Sequence, residues 1–192
     1  MLLVSVAGCR FEPQVAVDAR ADDAPVFEPV RDCPATYDVT LGARSSRYRF
    51  ILTANRAWEA SDDCNDDQPA FTHLIAFDDM AEVAEAQAQV NLTPGLPGNV
   101  AWVGGVQLRM QPDPMTGWLS VTGGALVAGP WSPNEPDDEG SGEGNDEQFV
   151  GLEPNRGGMV DYPNNRDHGG LCECDGKPLD AAAAAAIDAS RR

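Results

Sequence analysis

The sequence predicts an α+β domain with two helices, short antiparallel sheets and a long Gly/Pro/Asp-rich loop region. Three observations carry this. Helical spacing is confined to the first half of the 192 residues. Short β-rich runs separated by turns fill the second half. From Asn91 onward Gly and Pro dominate, and the stretch WSPNEPDDEGSGEGNDEQF (Trp131–Phe149) interrupts any regular pattern. No internal repeat is visible.

The elements follow in order. SRYRFILT (46–53) alternates and is β-rich, so it reads as a strand. ANRAWEASDDC (54–64) has Asn55 as a possible cap, with Ala57, Trp58, Ala60, Ser61 and Cys64 near helical spacing, and predicts a first helix ending at its Cys. HLIAF (73–77) is a short strand. DDMAEVAEAQAQV (78–90) opens with acids, which favour a helix N-terminus. It places Met80, Val83, Ala84 and Gln87 on one face and is the clearest helix. VAWVGGVQL (100–108), GWLSVTGG (117–124), QFVGLE (148–153), GGMVDY (157–162) and GLCEC (170–174) read as short strands. Asp180 to Arg192 is Ala-rich and predicts either a marginal helix or no fixed structure. Trp58, Trp102 and Trp131 are assigned to the core rather than to ligand stacking, and so is Trp118, although it follows Gly117 in a turn region.

Composition and charge exclude several functions. The chain carries a formal charge of −18. A nucleic-acid partner would require Lys and Arg to release phosphate counterions, and an anionic membrane face would require the same. Seven carboxylates fall between Glu135 and Glu147, and no Lys or Arg occurs between Arg109 and Arg156. Such a loop is either a solvated acidic insert or a site for a hard cation. No Ser-His-Asp arrangement, Cys-His pair or phosphate-binding Gly loop can be placed, so the residues point to no enzyme. His73 precedes a strand and His168 lies in a loop, neither with a nucleophile partner.

Five Cys are present. MLLVSVAGC (1–9) ends in Val-Ala-Gly-Cys, similar to a bacterial lipobox, in which the Cys is lipidated after signal cleavage; the alternative is a chance Cys at an N-terminus. No basic n-region precedes it and the apolar run is short. Lipidation at Cys9 would leave an even set of four Cys and place the protein among exported chains, where disulfides persist. The expected layout is a signal remnant over 1–9, a flexible tether over 10–32, a domain over 33–175 and an Ala-rich tail over 176–192. No segment is long and apolar enough to span a bilayer as a helix, so membrane contact would come only through the lipid anchor.

The ordered motifs resemble the C-type lectin-like domain. A Cys33-Pro34 opening precedes an aromatic strand near Tyr48. Trp58 to Cys64 forms a Trp-x5-Cys helix, and His73-Leu74-Ile75 precedes the acid-capped second helix. Trp102-Val103-Gly104 is similar to the family's Trp-Ile-Gly core strand. Trp131 leads to Glu135-Pro136-Asp137, which resembles the Glu-Pro-Asn calcium motif, and Leu171-Cys172-Glu173 resembles the closing strand. The likeness runs from about Cys33 to Asp175.

The resemblance implies a Ca²⁺ ion and a glycan or surface-protein ligand. Glu135 and Asp137 would flank a cis Pro136 and hold the metal, with Asp138 serving an auxiliary site. Glu143 or Glu147 would be the next ligand, the choice left open by an insertion of about four residues. Asp161, eleven residues before Cys172, would complete the set. Glu135, Asp137 and Asp161 would meet the sugar. The cation-free loop should be mobile, and binding should order it. The resemblance also pairs Cys64 with Cys172 and Cys33 with Cys174. Three departures stand against a standard mannose-type site, and a decoy motif follows them. Asp137 replaces an Asn and cannot donate a hydrogen bond. Met159-Val160-Asp161 replaces Trp-Asn-Asp. Phe149 and Asn164 occupy the positions of the inner Cys pair, so the long loop lacks that staple. Glu153-Pro154-Asn155 spells the motif literally but lacks the preceding Trp. A rival reading makes Cys172, Glu173, Cys174 and His168 a metal site, although the spacing fits no standard zinc pattern.

Overall fold

The computed structural model describes residues 26–127, 129, 131–138 and 147–191. In it, α1 spans Pro29–Asp32, β1 Arg47–Asn55, α2 Ala57–Asp67, β2 Thr72–Leu74 and α3 Met80–Leu92. There follow β3 Ala101–Gln107, β4 Trp118–Ser120, β5 Phe149–Leu152, β6 Met159–Tyr162, β7 His168–Cys174 and α4 Ala181–Ala189. The class is α+β, as the sequence predicts. Among the described residues the strands form one mixed sheet in the order β1-β7-β3-β5-β6, with β2 on β7 and β4 on β3. The pairing of β3 with β7 is parallel and the others are antiparallel.

Strand alternation explains how one sheet serves two cores. On β3, Ala101 and Val103 join a cluster with Tyr48, Val83, Val90, Leu152 and Leu171. Trp102 and Val106 point into a second cluster with Ala57, Ala60, Cys64, Phe149 and Cys172. All seven residues of β3 are buried. The Gly after Val103 is required by space: a Cβ on Gly104 would lie 2.5 Å from the Ile75 carbonyl oxygen, which accepts a hydrogen bond from the Gly104 amide. Trp102 is fully buried and Trp118 nearly so, whereas Trp58 and Trp131 are half-buried.

Local chemistry shifts several expected boundaries. The first strand runs through Asn55, so Asn55 is not a cap. The helix begins at Ala57, where the Glu59 carboxylate accepts from the Arg56 amide at 2.8 Å. Ala57, Ala60, Ser61 and Cys64 face inward at i, i+3, i+4 and i+7. On α3 the buried face is Glu82, Val83, Ala86, Gln87 and Val90, not the Met80 and Ala84 side expected; Met80 is exposed. A buried acid turns the helix this way. Glu82 accepts from Tyr48 Oη at 2.7 Å and from the Asp78 amide at 2.8 Å. The Asp79 side chain caps the helix through the Glu82 amide.

Cys33 is bonded to Cys174 and Cys64 to Cys172, across sequence separations of 141 and 108 residues. In the chain-entropy model each is worth about 4 kcal/mol. These bonds overturn the rival metal reading, because both sulfurs are consumed. His168 instead packs between the rings of Trp102 and Tyr162, at centroid distances of 4.8 and 5.0 Å.

Packing extends on both sides of the Cys33–Asp175 stretch. Phe27 stacks on Phe71 at 5.0 Å, beside α1. At the other end α4 is a formed helix. Asp180 caps it through the amides of Ala182 and Ala183, Ala183 and Ile187 enter the second core cluster, and Arg191 lies over the Trp58 ring. The Asn164 side-chain amide donates to the Ser190 carbonyl. Where the inner Cys pair is missing, Phe149 thus packs edge-on to Trp102, and Asn164 is tied to the end of the chain. Among the described residues no helix is long and apolar enough to cross a membrane.

Candidate metal centre

The centre is built on the β5–β6 hairpin. Register pairs Val150 with Asp161 and Gly151 with Val160. Alternation then gives Asp161 and Val160 to opposite faces of β6. The segment 131–138 runs beside this strand. Trp131 bridges Met159, and the Ser132 amide donates to the Met159 carbonyl at 2.8 Å. A turn closed by Glu135 N to Ser132 O at 3.0 Å brings the chain back, with Asn134 and Asp138 at positive φ. The Glu135–Pro136 bond is cis.

Asp161 is the hub of this turn. Its Oδ1 accepts from the Asp137 amide at 3.3 Å and its Oδ2 from the Asp138 amide at 3.2 Å. Glu135, Asp137 and Asp161 each place a carboxylate oxygen within 4.8 Å of the other two. The crowding shows in the protonation equilibria. Burial, then the Asp161 contact and the Asp137 charge, push the Glu135 carboxyl up to about 8. Burial likewise raises Asp161. Nearly buried acids with raised proton affinity signal a place short of positive charge.

The cation that the sequence did not reveal is Arg156. It sits in the turn between β5 and β6, where Nη2 donates to Glu135 Oε1 at 2.8 Å and Nη1 to Glu153 Oε2 at 3.0 Å. Arg156 and the backbone amides of Asp137 and Asp138 thus tie residues 131–138 to the β5–β6 hairpin. The overlooked signal was positional. Arg156 is the first base after the acidic run and follows the literal Glu153-Pro154-Asn155. That second motif lies in the hairpin turn, its Glu is engaged by Arg156, and its Asn backbone amide donates to Asn91 Oδ1.

Three of the six expected metal residues converge: Glu135, Asp137 and Asp161. Asp138 and Glu147 are outside this group, although Glu147 is buried. Glu143 lies outside the described residues, as does Cys9. The donor set is all oxygen and all carboxylate. It suits Ca²⁺, which takes six to eight oxygens at about 2.3–2.6 Å, and it lacks the nitrogen or sulfur that favours zinc. Arg156 already places a positive charge on this set. Val160 is buried and offers no side-chain oxygen.

A second trio of ligand-type residues, His73, Glu173 and Asp175, lies across β2 and the end of β7. Here the protein supplies its own donors. His73 Nδ1 faces the Leu74 carbonyl at 2.8 Å and Nε2 faces Asp175 Oδ1 at 3.0 Å, an arrangement that an imidazolium satisfies. Lys177 Nζ stands 2.9 Å from Asp175 Oδ2, and the Ala76 amide donates to Glu173 at 3.1 Å.

The fold is C-type lectin-like. No family model matches the sequence, and no curated protein does; the likeness is to solved structures. The mouse scavenger receptor C-type lectin carbohydrate-recognition domain is 23% identical, with a TM-score of 0.58 over 74% of this chain and 98% of that one. The C-type lectin CEL-I from Cucumaria echinata is 17% identical, with a TM-score of 0.59 over 76% and 99%. A calcium-independent type II antifreeze protein is 17% identical, with a TM-score of 0.56 over 74% and 94%. At these identities the likeness is one of fold.

Proposed function

We propose that this protein is an exported, calcium-dependent carbohydrate-binding module. The observation that carries the reading is the convergence of Glu135, Asp137 and Asp161 beside a cis Glu135–Pro136 bond. These three would hold Ca²⁺, and the bound ion would offer open positions to vicinal sugar hydroxyls. Structural neighbours named as lectins support a glycan as ligand. The two disulfides support export; lipid attachment at Cys9 to an outer membrane or cell surface, or a secreted form, is part of the same proposal.

Calorimetric titration with CaCl₂, followed by a glycan array with and without chelator, tests this. The protein should release or take up heat with calcium, and Asp137→Ala should abolish it while the melting temperature in chelator stays within a few degrees. If Asp137→Ala titrates as the parent does, the site assignment fails.

A second reading has its own support. Asp137 lacks the amide donor, Val160 supplies no side-chain oxygen, and one neighbour is calcium-independent. On this reading the domain is a lectin-fold interaction or structural module. No calcium heat, no thermal shift and array binding indifferent to chelator would favour it.

A further inference from the structure

The geometry points to Arg156 as the regulator of the calcium site: a built-in counter-cation that holds the cation-free site in shape and sets how much calcium is needed to fill it. This inference rests on the calcium reading above. Its grounds are positional. Arg156 is the centre of a three-member ion chain, Glu135–Arg156–Glu153, in which each carboxylate receives a separate guanidinium nitrogen, at 2.8 and 3.0 Å. The two anchors are unequal. The Glu135 side chain is 7% exposed, whereas Arg156 is 43% exposed and Glu153 30%. The base reaches inward from the surface to a nearly buried acid, and one oxygen of the candidate metal set is already engaged.

Two events are possible when a divalent ion arrives, and both have the same sign. If the guanidinium stays on Glu135, it sits close to a like charge in a partly desolvated place, which weakens metal binding. If it swings out to solvent, the Glu135–Arg156 pair is lost, which also counts against binding. Either way the charge at position 156 lowers calcium affinity. In return it stabilises the cation-free form, because Glu135 would otherwise face Asp137 and Asp161 without that positive charge. Glu153 makes this possible by holding the other nitrogen of the fork, so the Glu153-Pro154-Asn155 turn anchors the counter-ion and is not itself the metal motif. A threshold placed in this way suits a module that works where calcium is abundant, the regime of extracellular sites with dissociation constants of roughly 10⁻⁴–10⁻³ M.

The test is calorimetric titration of the full chain with CaCl₂, comparing the parent with Arg156→Gln and Arg156→Lys, plus melting temperatures in chelator. Arg156→Gln should bind calcium roughly three- to tenfold more tightly, the scale of one partly exposed charge interaction. It should also melt lower than the parent in chelator. Arg156→Lys keeps the charge and should stay near the parent. Glu153→Gln, which leaves every candidate ligand intact and leaves the Arg156 charge to Glu135 alone, should weaken calcium binding, the direction opposite to Arg156→Gln; tighter binding would overturn the inference. If Arg156→Gln binds calcium as the parent does, or more weakly, the inference is overturned while the calcium reading survives. If neither the parent nor Arg156→Gln binds calcium, the calcium reading is overturned and this inference with it.

Discussion

Among the described residues two trios of metal-ligand residues stand out, and they are opposites. In the sheet, His73, Glu173 and Asp175 are sealed among strands and saturated by an imidazolium, Lys177 and a backbone amide. In the loop lobe, Glu135, Asp137 and Asp161 face one another, with the Arg156 guanidinium reaching in to Glu135. The first is an ionic lock with its counter-charges in place; in the second the described counter-charge is the Arg156 guanidinium. Charge balance, not the number of carboxylates, separates structure from site here.

Matched substitutions give the largest contrast. Asp175→Asn removes the counter-charge from a buried imidazolium, and breaking a buried pair costs on the order of 3 kcal/mol, a fall in melting temperature of about 10 °C. Asp161→Asn makes the same chemical change where acids are crowded. In chelator it should lower the melting temperature by less than Asp175→Asn does, because it removes a charge from a crowded place while the amide oxygen keeps one of the two bonds to the Asp137 and Asp138 amides. It should also abolish calcium heat. Equal destabilisation by the two variants would show that the trios do not differ in the way described.

Stability against pH sharpens the same contrast. Burial, opposed by the His73 charge, pushes the Glu173 carboxyl up to about 7. A carboxyl raised above its unfolded value of about 4.5 contributes stability that is whole below that pH and is lost as pH climbs towards 7. Burial works against the His73 imidazolium, but its bond to Asp175 and the Glu173 charge outweigh that and raise it. Its share is therefore whole below about pH 6.5 and is lost above it. Asp175 is pushed up by burial yet held down at about 2 by His73 and Lys177, so its share is lost only as pH falls through that value. The cation-free protein should accordingly melt lower at pH 8 than at pH 5.5. Glu173→Gln should flatten that slope by roughly 1–3 kcal/mol, because each tenfold change in proton affinity is worth about 1.4 kcal/mol. A parent melting temperature equal at both pH values would remove the sheet cluster's role.

Legibility followed the range of the chemistry involved. The ordered motifs from Cys33 to Cys172 carry the α+β class and the strand sequence, because apolar alternation and helical spacing are local signals. The convergence of Glu135 and Asp137 with Asp161 was legible only through the resemblance, since 24 residues separate Asp137 from Asp161. What escaped were the distant partners of charges outside the acidic loop. Glu82 reads as surface on a helix wheel until Tyr48, 34 residues earlier, supplies a hydroxyl. His73 gains its partner 102 residues later. Arg156 looks like an ordinary turn residue until the hairpin carries it to Glu135. The α4 helix was one of the two outcomes read from its Ala run, which is marginal alone and becomes stable only when Ala183 and Ile187 find the core.

The smallest effect expected is also the most discriminating about the loop itself. Glu147 was an equal candidate with Glu143 for the next metal ligand, yet it stands outside the convergent trio, buried just ahead of β5, where the neighbouring Gln148 carbonyl accepts from the Gln107 amide at 2.9 Å. That backbone bond ties residue 148 to the end of β3. Glu147→Gln should therefore leave calcium affinity within about twofold of the parent, since a change under roughly 0.4 kcal/mol is what a charge outside the coordinating set produces through solvent screening. A tenfold loss would mean that the lobe closes over the ion by recruiting Glu147, and the comparison would then be between a complete sheet cluster and a loop cluster of four acids, with Arg156 balancing a larger excess than the three identified.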